Sequence, residues 1–314
     1  MARYSFVVPI YNDGAMADRF CAEFQKVFQS YLGLEQIDPL VELIFVNDGS
    51  RDDSARLLRA ACDRYPFAKA ISLSRNFGQH IAISCGYRHA TGEYVGMLNV
   101  DMEDPPDQIP LFLESLRRDD HDIVYGLYER RNVPFSQRLS SAAFNFLLNR
   151  LTGANFPLNT STLRVMNRRF LDAYNGLVEK SRYIPGLELW LGFRHGYVAV
   201  RHQRRTEGRS SYNVRRRFRM ALDSIISFSD LPLRMVATVG FFVAAIGFSL
   251  LLTLVLEKLS GKDFLPGYVS TVSIVVLMGG IQILVVGLAS LYVGRILREV
   301  QNRPLYVIQE TYNL

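Results

Sequence analysis

Short apolar runs alternate with amphipathic stretches along the first part of the chain. The apolar runs predict strands at 6–10, 42–46, 70–73, 94–98 and 122–125. Between these runs, apolar residues recur at helical spacing, which predicts helices at 18–31, 52–65, 78–90 and 106–117. This alternation is typical of an α/β fold with a mostly parallel sheet that helices cover on both faces.

Polar motifs follow three of the predicted strands, at 11–13, 47–50 and 99–104. Ligands of open parallel sheets bind at the carboxyl ends of the strands, so the three motifs predict one shared binding site. The chain has no G-x-x-x-x-G-K-[ST] loop, and no G-x-G-x-x-G follows its first strand. A P-loop and the usual dinucleotide fingerprint are therefore both excluded.

The third motif is an acidic cluster in which Asp101, Glu103 and Asp104 are followed by Pro105 and Pro106. Carboxylate oxygens are the ligands that Mg²⁺ and Mn²⁺ prefer, and phosphates of a substrate commonly complete the coordination. The alternative is a solvated turn in which Asp104 only caps the next helix, ahead of the prolines. The cluster alone leaves both interpretations open.

Two long uncharged runs follow the α/β region. Met235–Leu256 has 22 residues without a charge, and at about 1.5 Å per residue it would span about 33 Å, the thickness of a bilayer core. A second uncharged run covers 269–293, and arginines flank the outer ends of the pair. The pattern predicts two transmembrane helices with both termini in the cytoplasm. A buried helical hairpin in a soluble protein is the alternative.

These runs define the predicted domain organisation. An α/β domain covers 1–212, an amphipathic juxtamembrane segment 213–232, two membrane spans 233–295 and a cytoplasmic tail 296–314. The stretch 135–151 has apolar residues at helical spacing, and it predicts either an interfacial helix or a helix that faces the core.

The composition is consistent with an intracellular enzyme-sized domain plus a membrane anchor. Of its residues 49% are hydrophobic, and its three cysteines have no metal-ligand spacing. The net charge of +6 comes from the arginine-rich segment 201–219, so a uniformly basic nucleic-acid binder is a poor interpretation. Within that segment, Arg215, Arg216, Arg217 and Arg219 are predicted to bind lipid phosphates.

Five motifs in order carry a family resemblance: 7–12 (VVPIYN), 46–50 (VNDGS), 74–79 (SRNFGQ), 101–106 (DMEDPP) and 184–193 (IPGLELWLGF). They resemble the motifs of the polyprenyl-phosphate glycosyltransferases. These are family 2 enzymes of the GT-A fold, similar to dolichyl-phosphate mannose synthase and bacterial undecaprenyl-phosphate sugar transferases. The resemblance covers nearly the whole chain, including the paired membrane spans.

The resemblance implies a function. It implies inverting transfer of a sugar from a nucleotide sugar, with UDP as the expected nucleotide, to polyprenyl (undecaprenyl) phosphate. The cofactor would be Mg²⁺ or Mn²⁺, and the protein would be a homotetramer of the bacterial inner membrane with its catalytic domain in the cytoplasm. The lipid-linked sugar would serve cell-envelope glycans such as lipopolysaccharide. Nucleic acid is not an expected partner.

The resemblance also implies a nucleotide-sugar site. Its residues are Pro9, Tyr11, Asp13, Val46, Asp48, Arg75, Asn99, Asp101, Arg205 and Arg209. Asp48 would read the base, although a turn ahead of a capped helix also explains its motif. The chain departs from the family pattern at three positions, where Asp13 replaces glutamate, Asn47 replaces aspartate and Ser211 replaces lysine. Arg209 could restore the positive charge of that lysine from a neighbouring position. A role in lipid binding alone stays open for the arginines.

The metal ligands implied by the resemblance are Asp101 and Glu103. Asp101 matches the second acid of the family's D-x-D motif, whereas Asn99 stands in place of the first acid. An asparagine can supply a neutral oxygen or a hydrogen bond to a ribose.

The implied catalytic residues are Asp101, Asp104 and Arg164. The family's D-F-R segment, whose acid is a suggested base, is Thr162–Arg164 here, so the acid is absent, whereas the arginine is retained and could bind phosphate. Asp104 is then the remaining carboxylate for a base or an orienting role. A phosphate acceptor is already largely ionised near neutral pH, so a strong base is optional.

Two other functions compete with this interpretation. A processive polysaccharide synthase shares the fold, but those enzymes carry Q-x-x-R-W, and Trp190 is not in such a motif. A noncatalytic membrane-anchored protein that binds sugar nucleotides is the second alternative, suggested by the departures at Asn47, Asn99, Thr162 and Ser211.

Overall fold

A computed structural model of the chain describes residues 2–128, 159–180, 182–201 and 267–314, together with single positions between 238 and 260. The chain forms two compact units. One contains Met1–Val214 together with Pro304–Leu314, and the other contains Arg215–Arg303.

Within the described residues, the first unit is built on one eight-stranded sheet. Its strands are β1 (Tyr4–Ile10), β2 (Val41–Asn47), β3 (Ala68–Leu73), β4 (Tyr94–Met97), β5 (Ile123–Tyr128), β6 (Thr160–Asn167), β7 (His195–Val200) and β8 (Ile308–Tyr312). The strand order is β7-β5-β6-β4-β1-β2-β3-β8. The five strands expected from apolar runs are confirmed, and their observed bounds lie within a few residues of the expected ones.

The sheet is mixed rather than mostly parallel. β1, β2, β3 and β4 pair in parallel, and β5 pairs in parallel with β7. However, β6 runs antiparallel between β4 and β5, and β8 is antiparallel to β3. The prediction was incomplete because β6 and β8 are too polar to appear as apolar runs, and only their neighbours define them as strands.

The helices of the first unit are α1 (Ala17–Leu32), α2 (Ser54–Arg64), α3 (Gln79–His89), α4 (Ile109–Arg118), α5 (Arg168–Asn175) and α6 (Ile184–Trp190). The first four were predicted. A short 3-10 helix at Pro106–Gln108 precedes α4, so Pro105 and Pro106 begin a helix as their restricted backbone favours.

The core of the first unit lies on both faces of the sheet. On one face, Phe24 of α1 packs edge-on against Phe6 of β1, with ring centroids 5.4 Å apart. On the other face, Gly86 brings α3 so close to the sheet that a Cβ there would lie 2.3 Å from Val7 Cγ1. Both faces are therefore covered, as the alternating sequence pattern predicts.

The last residues of the chain return to the first unit as the edge strand β8. Ser74 N donates to Val307 O at 2.9 Å, and Arg59 forms an ion pair with Glu310. Asn313 Nδ2 donates to Cys62 O at 3.2 Å. The segment predicted to be a free tail therefore belongs in part to the sheet.

The second unit contains α7 (Tyr268–Val300), which includes the predicted span 269–293. Within the described residues, one segment, Ile281–Val300, is long and apolar enough to cross a membrane. Large apolar side chains on it are exposed, among them Ile283 at 76% and Val286 at 64%. Most of the other predicted span, 235–256, and all of the predicted interfacial helix 135–151 lie outside the described residues.

Candidate functional site

The three polar motifs meet at one edge of the sheet. Ile10 pairs with Asn47 across β1 and β2, and Val7 pairs with Met97 across β1 and β4, so the carboxyl ends of all three strands coincide. Side chains join the first two motifs, because Asn12 N donates to Ser50 Oγ at 2.9 Å. The three motifs that were predicted to share a site therefore lie together at this edge.

Asp48 anchors the loop between β3 and α3. Its two carboxylate oxygens accept from Phe77 N at 2.7 Å and Gly78 N at 2.9 Å, and the residue is 3% exposed. Burial raises the pKa of this carboxyl above its ordinary value, and the two loop amides act in the opposite direction. Asp48 therefore shapes the loop, whether or not it also reads a base.

Asn47 is held at the same strand end by both ends of its amide. Its Oδ1 accepts from Ser50 N at 3.0 Å, and its Nδ2 donates to Ser72 Oγ at 3.3 Å. An aspartate would keep the first bond, whereas the second bond uses an amide proton. Ser72 thus accepts a hydrogen bond that only the asparagine of this chain, and not the aspartate of the family pattern, can donate.

The other predicted nucleotide residues of the first half differ in exposure. Tyr11 is 44% exposed, and Asp13 is also exposed. Arg75 is exposed and lies over the Phe77 ring at 4.2 Å from the centroid. Pro9 is partly buried in β1, whereas the Val46 side chain is fully buried beneath α3 and packs the sheet.

Asp101 occupies a strained turn after β4. Its Oδ1 accepts from Glu103 N at 3.2 Å, and the residue is 8% exposed. Between the two acids, Met102 adopts φ 56°, in the left-handed region that costs non-glycine residues energy. Such a conformation persists only where its surroundings impose it.

Both carboxylate oxygens of Asp104 accept hydrogen bonds from neighbouring groups. Its Oδ1 accepts from Tyr128 Oη at 2.8 Å, and its Oδ2 accepts from Thr162 Oγ1 at 2.7 Å and Leu163 N at 3.3 Å. The residue is 1% exposed. A base needs a free lone pair directed at its substrate, so this geometry favours a positioning role over the base suggested by the sequence. The capping alternative also fails here, because these three donors all lie away from the following helix.

Asn99 connects Asp104 to the helix α3. Its Nδ2 donates to Thr162 Oγ1 at 3.1 Å, and its Oδ1 accepts from Gln79 Nε2 at 3.2 Å. Gln79 follows Gly78, whose amide binds Asp48, so one loop contacts both halves of the site.

Arg164 lies beneath the site rather than in it. Its Nη1 binds Glu188 Oε2 at 2.7 Å, Tyr125 Oη donates to the same oxygen at 3.2 Å, and Arg164 is 7% exposed. Burial raises the pKa of Glu188, while Arg164 stabilises its charged form. The expected phosphate contact of Arg164 is not available in this arrangement, because its charge is paired in the interior.

The donor set around Asp101 suits a hard cation. Asp101 and Asn99 both provide oxygen ligands of the kind that Mg²⁺ and Mn²⁺ prefer. In the described part of the chain, no three His, Cys, Asp or Glu side chains form a metal-binding group. A cation here would therefore depend on oxygens of a bound phosphate for much of its coordination, as is common for Mg²⁺.

Several predicted site residues lie outside the described residues: Arg205, Arg209, Arg215, Arg216, Arg217 and Arg219.

The sequence interpretation missed four residues that the structure brings to or under the site: Gln79, Tyr128, Thr162 as a hydrogen-bonding partner, and Glu188. One signal was available. Glu188 shares a helical stripe with Ile184 and Leu187, and an acid in an apolar stripe indicates a buried partner. Tyr128 had no such signal, because its pairing with Asp104 depends on the path of β5.

Comparisons with known proteins extend these observations. The model of glycosyl transferase family 2 matches residues 5–174. An undecaprenyl-phosphate 4-deoxy-4-formamido-L-arabinose transferase of Sodalis glossinidius is 31% identical over 98% of this chain and 93% of its own. A prophage-derived bactoprenol glucosyl transferase of Shigella flexneri is 29% identical over 99% of this chain and 98% of its own.

A solved structure shares the fold. Glucosyl-3-phosphoglycerate synthase from Mycobacterium tuberculosis, in complex with Mn²⁺, UDP and phosphoglyceric acid, has a TM-score of 0.51 and 17% identity over 72% of this chain and 76% of its own. The family match covers more than half of the chain, and the similarity to the Sodalis relative extends through the C-terminal region. The chain therefore belongs to glycosyl transferase family 2.

Proposed function

We propose that this protein transfers a sugar from a nucleotide donor, with UDP as the expected nucleotide, to polyprenyl phosphate at the cytoplasmic face of the membrane. The observation that carries the proposal is similarity over nearly the full length of both chains to relatives named for bactoprenol and undecaprenyl phosphate. The lipid-linked product would feed synthesis or modification of cell-envelope glycans.

The donor would bind at the edge where the three strand ends meet. Asp48 holds the loop at 74–78, and Arg75 is exposed on that loop for contact with a diphosphate. Tyr11 and Asp13 are exposed on the neighbouring turn. The Mn²⁺ and UDP of the Mycobacterium enzyme support a nucleotide donor and a divalent ion by shared fold alone.

Asp101 would hold a divalent ion, with Asn99 as a neutral oxygen beside it and Glu103 as a further candidate ligand. When bound, such an ion neutralises the charge that develops on the departing nucleoside diphosphate. The hydrogen bond from Glu103 N to Asp101 Oδ1 ties this carboxylate to its own turn.

The acceptor would supply its own nucleophile. A phosphate monoester has a second pKa near ~6, so one of its oxygens is already anionic near neutral pH. That oxygen forms the new bond to the anomeric carbon, while the bond from this carbon to the diphosphate oxygen breaks and its electron pair leaves with the nucleotide. Attack from the opposite face inverts the anomeric configuration. No proton needs to be removed, which agrees with an Asp104 committed to other donors.

The membrane arrangement we propose has two spans, with the α/β domain and both termini on the cytoplasmic side. β8 pairs with β3, so the chain returns after 215–303 to the unit from which it left. A chain that begins and ends on one side of a bilayer crosses it an even number of times. The exposed apolar helix α7 would supply one span, and the uncharged run 235–256 the other. The arginines within 215–219 would then lie at the lipid phosphates.

The test uses the full chain purified in detergent. It is incubated with undecaprenyl phosphate, Mn²⁺ or Mg²⁺, and a panel of nucleotide sugars, and the lipid fraction is analysed by mass spectrometry. We expect one donor to yield a lipid-linked sugar and no product when the metal is chelated. Nucleotide binding without transfer across the whole panel would contradict the proposal and would favour the noncatalytic binder.

A further inference from the structure

The hydrogen bonds around Thr162 have a direction that the chemistry fixes. The Thr162 hydroxyl donates its single proton to Asp104 Oδ2, 2.7 Å away. The same hydroxyl oxygen can then only accept from residue 99. Asn99 meets this requirement, because its Nδ2 donates to Thr162 Oγ1 at 3.1 Å.

The opposite end of the Asn99 amide is fixed by the same logic. With Nδ2 directed at Thr162, Oδ1 faces Gln79 Nε2 at 3.2 Å. The chain of bonds thus runs in one direction, from Gln79 through Asn99 and Thr162 to Asp104. Reversing the Asn99 amide would place two acceptors against each other at Thr162 and two donors against each other at Gln79.

We propose that Asn99 and Thr162 are a matched pair, and that Asn99 is a positioning residue whose amide oxygen is held on the Gln79 side of the site. The inference rests on the proposed function. The two departures from the acidic family pattern, at positions 99 and 162, then depend on each other. An aspartate at position 99 needs a proton that Thr162 has already given to Asp104.

This leads to an unusual expectation for Asn99→Asp, the substitution that recreates the family's D-x-D motif. A simple view predicts a better metal site and higher activity. The matched pair predicts damage instead, because two carboxylates at 99 and 104 would share one hydroxyl proton.

The experiment is a double-mutant cycle with Asn99→Asp and the isosteric Thr162→Val, which removes the hydroxyl without changing the shape of the side chain. Transfer activity is measured with the donor that the panel of nucleotide sugars identifies. We expect Asn99→Asp to lower kcat/KM about 10- to 100-fold near neutral pH, the loss typical of a broken bond to a charged group. In the Thr162→Val background the same change should cost at least about threefold less, which is the coupling expected of residues in contact.

A conservative variant distinguishes positioning from a merely structural role. Thr162→Ser keeps the hydroxyl, so Asn99→Asp should cost as much in that background as in the wild type, and less only in Thr162→Val. Thermal denaturation confirms that each variant is folded. Equal costs in the wild-type and Thr162→Val backgrounds, a cost in Thr162→Ser as small as that in Thr162→Val, or higher activity of Asn99→Asp would each overturn the proposal.

Failure of this inference is distinguishable from failure of the proposed function. If the wild-type chain transfers no sugar, the function is wrong, and the cycle is measured instead by calorimetric binding of UDP in the presence of Mn²⁺. The same coupling is expected in that affinity. Its absence would contradict the matched pair in either assay.

Discussion

Asn47 and Asn99 lie on either side of β1, at the end of β2 and just beyond β4, and both stand where the family pattern has an acid. Each directs its amide nitrogen at a hydroxyl, Ser72 for Asn47 and Thr162 for Asn99. The two hydroxyls differ in what they do with their proton. Thr162 gives it to Asp104, whereas among the described residues no acceptor takes the proton of Ser72.

The difference shows that the same substitution has different consequences at two strand ends. Ser72 can rotate and donate to an aspartate at position 47, because a hydroxyl both donates and accepts. Thr162 cannot do so without abandoning a buried carboxylate. At the β2 end, backbone amides of the loop hold the acid Asp48. At the β4 end, side chains hydrogen-bond to one another, so a substitution of one of them disturbs the hydrogen bonds of the others.

The largest expected effect is at the β4 end. Asp101→Asn should lower kcat by about 100- to 1,000-fold, because the divalent ion that neutralises the departing diphosphate would lose its carboxylate ligand. Steady-state transfer assays with saturating metal measure this loss. Asp107→Asn is the matched control, since Asp107 is half-exposed and only pairs with Arg201 on the surface. Comparable losses in both variants would remove Asp101 from the metal site.

A smaller effect is expected at the β2 end. Asp48→Asn replaces one of two acceptors with a donor against the loop amides of Phe77 and Gly78, so the loop loses its anchor. Nucleotide affinity should fall about tenfold, with kcat changed less. Binding of UDP by calorimetry tests this. The control is Asp53→Asn, whose exposed ion pair with Arg56 contributes little. An unchanged affinity in Asp48→Asn would show that the anchoring of the loop by Asp48 does not contribute to nucleotide binding.

A pH effect on stability is expected from His80, which lies at the start of α3 between the two ends. Burial lowers the pKa of His80 from 6.5 to about 4, and Arg164 adds to the shift. Its buried Nδ1 has no hydrogen-bonding partner in the described structure. Because the unfolded state binds the proton first, stability present above pH 6.5 is lost as the pH falls toward 4.

The free energy of unfolding should therefore fall by about 2 kcal/mol between pH 7 and pH 4.5 through this one group. In His80→Gln this component should be missing, so the variant loses less stability on acidification. Denaturant titrations in detergent at the two pH values measure the difference. Equal losses in the two proteins would show that the His80 proton is not excluded by burial.

The smallest effect is expected for Asn47→Asp. The bond from Ser50 N is kept, and Ser72 can donate in place of accepting, so kcat/KM should change by no more than about threefold. The assay is the one used for Asn99→Asp, and the two variants carry the same chemical change. A loss as large as that of Asn99→Asp would mean that any added charge at this edge is harmful, whatever its partner.

The sequence was informative where local pattern decides structure. Runs such as 6–10 and 42–46 are largely apolar because their strands are buried on both faces, and they were predicted from that property alone. The order of the motifs likewise predicted that Asp48 and Asp101 would lie at one edge.

The rest depends on tertiary contacts. β8 reads Ile-Gln-Glu-Thr-Tyr, which no local rule distinguishes from a polar tail, and it is a strand because the edge of β3 accepts it. Arg164 was predicted to face phosphate, but its buried partner Glu188 lies on a different element, the helix α6, 24 positions away in sequence. The direction of the Asn99 amide was also unpredictable, since it depends on Asp104, to which Asn99 is linked by two successive hydrogen bonds through Thr162.

The most direct test of the proposed sugar transfer is the lipid product in cells. Membrane lipids are extracted from cells that express the wild-type chain or Asp101→Asn at equal levels, and polyprenyl phosphates are analysed by mass spectrometry. We predict a polyprenyl phosphate that carries one added sugar in cells with the wild type and lacks it in cells with the variant. No new lipid in the wild type, or the same amount in both, would contradict the proposed transfer.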